Sequence, residues 1–344
     1  MMQPLKFQID PLKGLQDWQI TEPFQQKVKI EGLQLYICGL QAIHPVYGEV
    51  VGSGANLGDF PQNQAWYELL ERIATVESFQ RKSFPYLDPT SGKKLGKLSL
   101  DKVFPQPGKP IQKADFQYAK SNGIALHTNW SEACLRACCE LVERHLVLAS
   151  WLGYVMPIEM KPPLDMSPLQ QLADIYEVKR IGFGWQRIDS FSEAIFTSGV
   201  ILLPYDLTAP LIMGFGAGMS QQDSLVKAEA EALQRLGFLW GEELPSCEPA
   251  FHPTPLFHQE YYLFPGNRRK IENWLAGKHR SFCQNDRSFP QVLQLKFVDL
   301  TSADLQNFKV VKAISPQSIP LVFGKWRQGE FGSIPEDLII HPIA

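Results

Sequence analysis

The spacing of apolar and polar residues changes several times along the chain. Residues 27–38 (KVKIEGLQLYIC) alternate with period two, as a half-buried strand does. Residues 62–78 (QNQAWYELLERIATVES) switch to the three-and-four spacing of an amphipathic helix, and that spacing returns over 131–150 and 223–240. Strand patterns follow at 182–188, 199–205, 291–299 and 309–314, and a further helix falls near 266–276. Strands and helices are interspersed, which predicts a mixed α/β (α+β) fold. Residues 79–115 are polar and rich in Pro, Gly and Lys. That is too long for a plain connection, so it reads as a long loop or lid. Residues 161–168 (KPPLDMSP) and a Pro/His-rich stretch at 248–256 interrupt the pattern again. No shift in composition marks a boundary, so residues 1–344 are expected to form a single large domain, with N-terminal strands in residues 1–50.

Composition narrows the function classes. The net charge of −3 leaves no basic surplus to neutralise a phosphate backbone, so no nucleic acid partner is expected. No stretch approaches 18 uncharged apolar residues, so no membrane span is expected either. The opening residues, MMQPLKFQIDPLKG, lack the apolar run of a secretory signal, and a cytoplasmic protein is the expectation. Six cysteines are present (Cys38, Cys134, Cys138, Cys139, Cys247 and Cys283) without a CxxC pair. Three of them fall in one predicted helix, where they read as small buried apolar residues.

A related core recurs in three of the predicted helices. Glu68–Arg72 reads ELLER, Glu140–Arg144 reads ELVER, and Glu231–Arg235 reads EALQR. Each follows a glycine-bearing stretch: Gly52-Ser53-Gly54, then Asn122-Gly123, then Gly214-Phe215-Gly216. The repeats lie 72 and 91 residues apart, too far and too unequal for a solenoid, but suited to three helices converging on one site. In the second helix Glu132, Arg136, Glu140 and Glu143 fall within an arc of about 80°, and the rest is Ala, Cys, Leu and Val. Like charges at this spacing repel, and more so when desolvated, so such a stripe needs a cation. Either it is a solvated surface face, or its carboxylates hold a hard divalent ion together with nucleotide phosphates. In the third helix Lys227, Glu231 and Gln234 share a face. Lys227 either meets a phosphate as a point charge or pairs with Glu231. Ser131 and Asp223 or Ser224 are plausible helix caps. The glycine-bearing stretches read as phosphate-approaching turns or as ordinary ones. Walker A, GxGxxG, HExxH and GxSxG patterns do not occur. His127 and His145 bracket the second helix, and His252 and His258 lie close together in FHPTPLFHQEYYLF.

The ordered set of motifs resembles a known family. Ser121-Asn122-Gly123-Ile124-Ala125, then Glu132-Ala133, then Glu140-Leu141-Val142-Glu143-Arg144 is similar to the YcaO signature. Glu68–Arg72 resembles that family's first ATP-site helix, and Gly214–Gly216 with Ala228, Glu231 and Gln234 resembles its third. Val310–Pro316, Pro320, Phe323-Gly324 and the terminal His341-Pro342 resemble segments of azoline-forming members. The resemblance implies an ATP- and Mg2+-dependent peptide cyclodehydratase. In such an enzyme a Cys, Ser or Thr of the substrate attacks the preceding amide carbonyl, ATP phosphorylates the resulting oxygen, and phosphate leaves to give a thiazoline or oxazoline. By the same resemblance Glu68, Glu71, Glu132, Glu140 and Glu143 would hold magnesium. Thr128, Lys227, Glu231 and Gln234 would join Glu68, Glu71 and Glu132 in binding the nucleotide, and Glu140, Glu143 and Arg144 would be catalytic. Ser53, Thr128 and Lys227 stand where many members carry Lys, Asn and Arg. Implied partners are a precursor peptide of a bacteriocin-like natural product, a separate leader-peptide-binding protein and a flavin dehydrogenase. Thioamide or amidine formation and a non-catalytic scaffold role are alternatives with the same site.

Overall fold

The computed structural model describes residues 15, 17–106, 115–161, 167–279, 289–303, 305, 307–325 and 340–344. In chain order, β1 (Gln19–Ile20), β2 (Phe24–Ile30), β3 (Leu33–His44) and β4 (Gly48–Asn56) lead into helix α1 (Gln62–Ser78). Then come β5 (Ser83–Leu87), β6 (Lys94–Ser99), the short α2 (Leu100–Val103), β7 (Phe116–Tyr118), β8 (Ile124–His127) and α3 (Trp130–Trp151). The middle holds β9 (Ile158–Glu159), β10 (Tyr176–Ile188), β11 (Ile195–Pro204), β12 (Ile212–Gly218) and α4 (Gln221–Leu239). The chain ends with α5 (Pro255–Leu263), α6 (Arg268–Leu275), β13 (Val292–Leu293), β14 (Lys296–Asp299), β15 (Lys309–Ile314) and β16 (Val322–Gly324). Helices and strands are mixed throughout, as the periodicity predicts. Among the described residues no helix is long and apolar enough to cross a membrane.

Three sheets carry the three glutamate helices. The first holds β1 to β4, with β3 pairing both β2 and β4. The second runs β6-β5-β14-β15-β8, and the third β12-β11-β10-β13 with β9 beside β10. A strand of each sheet precedes a helix: β4 leads to α1, β8 to α3, and β12 to α4. Each helix packs on its own sheet and also touches a neighbouring one: α1 meets β8, α3 meets β11 and β12, and α4 meets β3 and β4.

The segment expected as one half-buried strand, 27–38, keeps its alternating burial but turns at residues 31–32, so that it is the end of β2 paired with the start of β3. Further along, β3 buries both faces. Leu33, Leu35 and Ile37 of β3 point into the core shared with α4, whereas Cys38, Leu40 and Ala42 point into the core shared with α1. Period-two alternation fixes that these two sets face opposite ways. The segment expected to be a lid is instead largely a hairpin. Phe84 pairs with Leu98 and Tyr86 with Gly96, and β5 pairs β14 within the second sheet. Its lysines mark the outer strand β6, where charge discourages pairing with another chain. Residues 107–114 of that segment lie outside the described residues, as do 162–166 of the second break and Cys283. Helix α6 matches its expected position, with a short 3-10 turn before it at Pro265–Asn267.

The glycine stretches also differ from expectation. Gly52 and Gly54 lie inside β4, and Gly214, Gly216 and Gly218 inside β12, not in turns. Their role is close approach of helix to strand. A Cβ at Gly52 would lie 2.1 Å from the Ala65 carbonyl oxygen, and one at Gly214 would lie 2.3 Å from the Ala232 nitrogen. Both obstacles are helix backbone, which cannot swing aside. Gly214→Ala is therefore expected to cost about 3 kcal/mol by chemical denaturation. Gly58→Ala, whose added Cβ meets nothing within 4 Å, should change stability by less than about 0.5 kcal/mol.

Candidate active site

The close approach of helix to strand sets up one local arrangement three times. With no side chain between them, strand backbone N–H groups reach glutamates on the helix that follows. Ser53 N donates to Glu68 Oε2 at 2.7 Å, and Phe215 N donates to Glu231 Oε2 at 2.9 Å. Gly123 and Ile124 donate backbone hydrogen bonds to Glu140. Helix α1 makes a fourth bond of this kind across to the second sheet, from Leu126 N to Glu71 Oε2 at 3.1 Å. Gly123 has a φ of 71°, and a Cβ there would lie 2.7 Å from the Ala313 carbonyl oxygen, so glycine is required where the loop turns its N–H groups toward α3.

Helix α3 is capped by the Asn129 side chain, which accepts from Glu132 N, and α4 by Ser220, which accepts from Asp223 N. These residues replace the caps expected at Ser131 and at Asp223 or Ser224. Between the helices Gln64 Nε2 donates to Gln234 Oε1 at 3.0 Å, tying α1 to α4.

The side chains of α1, α3 and α4 meet around Arg144. Its guanidinium lies 3.2 Å from Glu143 Oε1, and Nη1 is buried without a hydrogen bond of good geometry. Glu143 is only 8% exposed. Burial pushes its carboxyl up to about 8; Arg144 opposes the rise, and Glu231 and Glu140 add to it. Burial also raises Glu140 to about 7, against the pull of Arg144 and Lys312. Glu71 is held well above the carboxylate range, first by burial and then by the negative charges of Glu140 and Glu68. Burial is the first cause of each rise, and the cations Arg72, Arg144 and Lys312 oppose it.

Two cavities open beside the Glu143–Arg144 pair. One, of about 710 Å³, is lined by Ser53, Gln64, Glu68, Arg72, Arg144, Glu231, Gln234 and Arg235, among others. The second, of about 430 Å³, is lined by Glu132, Arg136, Cys139, Glu140, Glu143, Phe215, Gly216, Asp223 and Lys227, with Leu135, Ala217 and Met219. The expectation that Glu68, Glu71, Glu132, Glu140 and Glu143 line one cavity is thereby corrected. Glu68 faces the larger cavity, and Glu132, Glu140 and Glu143 the smaller. Glu71 lines neither and couples to both groups through Glu68 and Glu140. Helix geometry explains the split, because Arg144 is next to Glu143 in sequence and so points about 100° away from it. Thr128 is exposed and is not among the lining residues of either cavity. Lys227 lines the smaller cavity but is engaged by Asp223 Oδ2 and the Ala217 carbonyl, both at 3.0 Å, rather than by Glu231.

One residue here escapes sequence inspection: Lys312 of β15 interacts with Glu140 and Glu71 from below, and it stands at no spacing that would single it out. Arg235, which ends the third Glu–Arg core, lines the larger cavity beside Arg144, although it is not among the residues expected at the site. The histidines do other work. His145 is buried, accepts from Ile319 N at 3.0 Å and stacks on Phe289. His127 accepts from Asn129 N. His258 is partnered not with His252 but with the C-terminal segment: its Nδ1 donates to the His341 carbonyl at 2.9 Å and its Nε2 accepts from Gly324 N at 2.8 Å. Cys134 and Cys138 are buried, and burial raises their thiols, in keeping with an apolar role.

Residues 103–318 match the family model described as YcaO cyclodehydratase, ATP- and Mg2+-binding. The chain belongs to the YcaO family. Among solved structures, a YcaO protein of Methanopyrus kandleri bound with AMPPCP and Mg2+ is similar at 15% identity and a TM-score of 0.57, over 88% of this chain and 87% of that one. A heterocyclase in complex with substrate and cofactor gives 15% identity and a TM-score of 0.52 over 88% of this chain and 50% of its own. The Escherichia coli microcin synthetase McbBCD complex with pro-MccB17 bound gives 10% identity and a TM-score of 0.52, over 86% of this chain and 87% of that one. At these identities the likeness is one of fold. No curated protein matches the chain.

The YcaO cofactors are ATP and Mg2+, and the residues at this site fit them. The donors are hard carboxyl oxygens, and the Arg144 guanidinium lies against Glu143 and lines the larger cavity with Glu68 and Glu231. Among the described residues no three acidic, His or Cys side chains are grouped as a ready-made metal cage. Mg2+ does not need one, since it is commonly held by one or two carboxylates, water and the phosphates it accompanies.

A pH consequence follows from the raised carboxyls. The folded-state values of Glu140 and Glu143 lie above the ordinary glutamate value, so the folded chain binds more protons than the unfolded chain between about pH 4.5 and 8. Stability without ligand should fall as pH rises through that window. In thermal melts Glu143→Gln is expected to exceed wild type at pH 9, where the native carboxylate carries its charge. The two should coincide near pH 5, where it is protonated.

Proposed function

We propose that this YcaO protein uses ATP and Mg2+ to activate backbone amides of a ribosomally made precursor peptide, closing Cys, Ser or Thr onto the preceding carbonyl to give an azoline. The observation that supports this reading best is the meeting of glutamates from three strand–helix units beside the Arg144 guanidinium. Phosphoryl transfer asks a protein mainly to position groups and to neutralise charge, and this site offers charged groups without an obvious protein nucleophile.

Bound ATP with its Mg2+ would supply a phosphoryl group to the amide-derived oxygen, and phosphate would be the leaving group. Glu68, Glu71, Glu132, Glu140 and Glu143 are the residues proposed to hold the metal, and backbone hydrogen bonds fix Glu68, Glu71 and Glu140 before it arrives. Glu231, Gln234 and Lys227 are proposed to orient the nucleotide. Arg144, set against Glu143, would face the charge that develops on the phosphates. Thr128 is the weakest member of the set, because it lies off both cavities. The two cavities would let nucleotide and peptide approach from different sides.

The solved heterocyclase and microcin synthetase are complexes with substrate, the latter with further proteins. By that likeness the partners proposed here are a precursor peptide and a separate protein that grips its leader, with a flavin dehydrogenase to oxidise the azoline.

Two experiments test the proposal. Purified chain with ATP and Mg2+ should release phosphate only when precursor peptide and leader-binding partner are added, and mass spectrometry should show loss of one water per ring. Vigorous hydrolysis indifferent to peptide would overturn the assignment. Glu140→Gln, which keeps shape and removes one charge, should lower turnover by more than about a hundredfold without lowering the melting temperature. A merely solvated stripe would leave turnover at the wild-type level.

A further inference from the structure

Lys312 is 4% exposed, on a central strand of the second sheet, and no solvent reaches its ammonium freely. A buried lysine is costly unless it is paired and hydrogen-bonded. Its Nζ donates to the carbonyls of Lys120 at 2.9 Å and Asn122 at 2.5 Å, and it sits 5.2 Å from the ring centre of Phe104. Both carbonyls belong to the loop that ends in Gly123. That loop is also tied to β15 at the next residue, where Ala313 N donates to the Gly123 carbonyl at 2.8 Å. Lys312 and Ile124 are direct partners in the strand ladder. On its other side the same loop turns the N–H groups of Gly123 and Ile124 to Glu140. The ammonium, the loop and the glutamate therefore form one stack from core to cavity. The charges facing Lys312 are Glu140 from α3 and Glu71 from α1.

We propose that Lys312 is a positioning residue for the ATP site: its buried ammonium clamps the Lys120–Gly123 loop by its carbonyls, so that the opposite edge of the loop holds Glu140, and supplies positive charge behind the Glu71–Glu140 pair. The inference rests on the proposed ATP-site role of those glutamates. Two carboxylates brought together without a cation beneath them would share a proton or move apart, and either response spoils a hard-ion site. The hydrogen bonds to carbonyls explain why the residue is a lysine and not an apolar core residue. Deep burial explains why a mobile surface cation cannot substitute for it.

The test compares Lys312→Met with Lys312→Gln, which keeps one donor for the loop carbonyls but no charge, and with wild type. Amide hydrogen exchange on the ligand-free chain reads the clamp. Residues 120–124 should exchange faster in Lys312→Met, with helix α6 unchanged. Equilibrium dialysis with ATP over a Mg2+ series reads the charge. Both variants should need about tenfold more Mg2+ for half-saturation, the size of one lost charge-assisted interaction, and Lys312→Gln should recover part of the loop protection. Wild-type exchange in Lys312→Met overturns the clamp, and wild-type Mg2+ dependence in both variants overturns the electrostatic role. If Lys312→Met does not fold, Lys312→Gln carries both readouts with the same expectations. Failure of the ATP-site reading itself looks different: the wild-type chain then binds no nucleotide at any Mg2+ concentration, while the exchange comparison still decides the clamp.

Discussion

The concentration of like charge between three helices is the constraint on which this fold turns. Glu71, Glu140 and Glu143 are drawn into a space of low polarity that makes each harder to ionise, and the charge of Glu140 adds to the rise at both Glu71 and Glu143. Left alone, such a cluster would push the helices apart. What holds it is a set of fixed donors on the other side: strand N–H groups, the Arg144 guanidinium and the Lys312 ammonium. Backbone donors are well suited to this, because they belong to ladders already held in place and lose little freedom in making one more bond.

The donors on β4 and β12 reach Glu68 and Glu231 because those strands carry no side chains at the crossing points. Gly52 and Gly214 bring helix backbone to within about one atom's width of strand backbone, and a Cβ at either would overlap it. Each strand–helix unit is thus a close-packed joint, and the glutamate is held about one turn beyond it. The three units bury their apolar sides in three hydrophobic clusters, one for each helix. The sheets between them hold the joints at a fixed separation, so the convergence of carboxylates is set by core packing rather than by attraction among the carboxylates themselves.

Much of this was legible in the chain because periodicity and repetition are local properties. Helices α1, α3 and α4 lie where their apolar spacing places them, and the repeated glutamate–arginine core marks which faces matter. What was not legible depends on partners distant in sequence. The glycines of β4 and β12 look like turn residues until the helix lying on them is seen. Residues 83–99 look like a polar loop because their outer strand is at a sheet edge, where polar residues face water even though the backbone is fully paired on its inner side. Lys312 sits in an ordinary strand pattern. Only the pairing of β15 with β8 places it under the loop of Asn122 and Gly123. The cavity assignment of Glu143 and Arg144 differs because adjacent helical residues diverge, which a shared stripe conceals when only one edge of it is counted.

The positions where the chain departs from common YcaO residues gain a physical reading from the same geometry. At Ser53 the bond to Glu68 is made chiefly by the backbone nitrogen at 2.7 Å, with the hydroxyl adding a longer contact at 3.3 Å. A side-chain change there leaves the main donor in place. Lys227 is a point charge already engaged by Asp223 and the Ala217 carbonyl at the mouth of the smaller cavity, so it lacks the fork that an arginine would present to a phosphate. Arg235, one turn beyond Glu231 and beside Arg144, brings a guanidinium to the other cavity. Thr128 precedes the cap of α3 and contributes to neither cavity, while its neighbour Asn129 accepts from Glu132 N and so fixes the start of the helix. The departures fall on side chains at the rim, whereas the glutamates and the backbone donors that hold them are built into the joints between sheet and helix. A site organised in this way tolerates exchange at its edge, because the geometry of its centre depends on packing that the exchanged residues do not share.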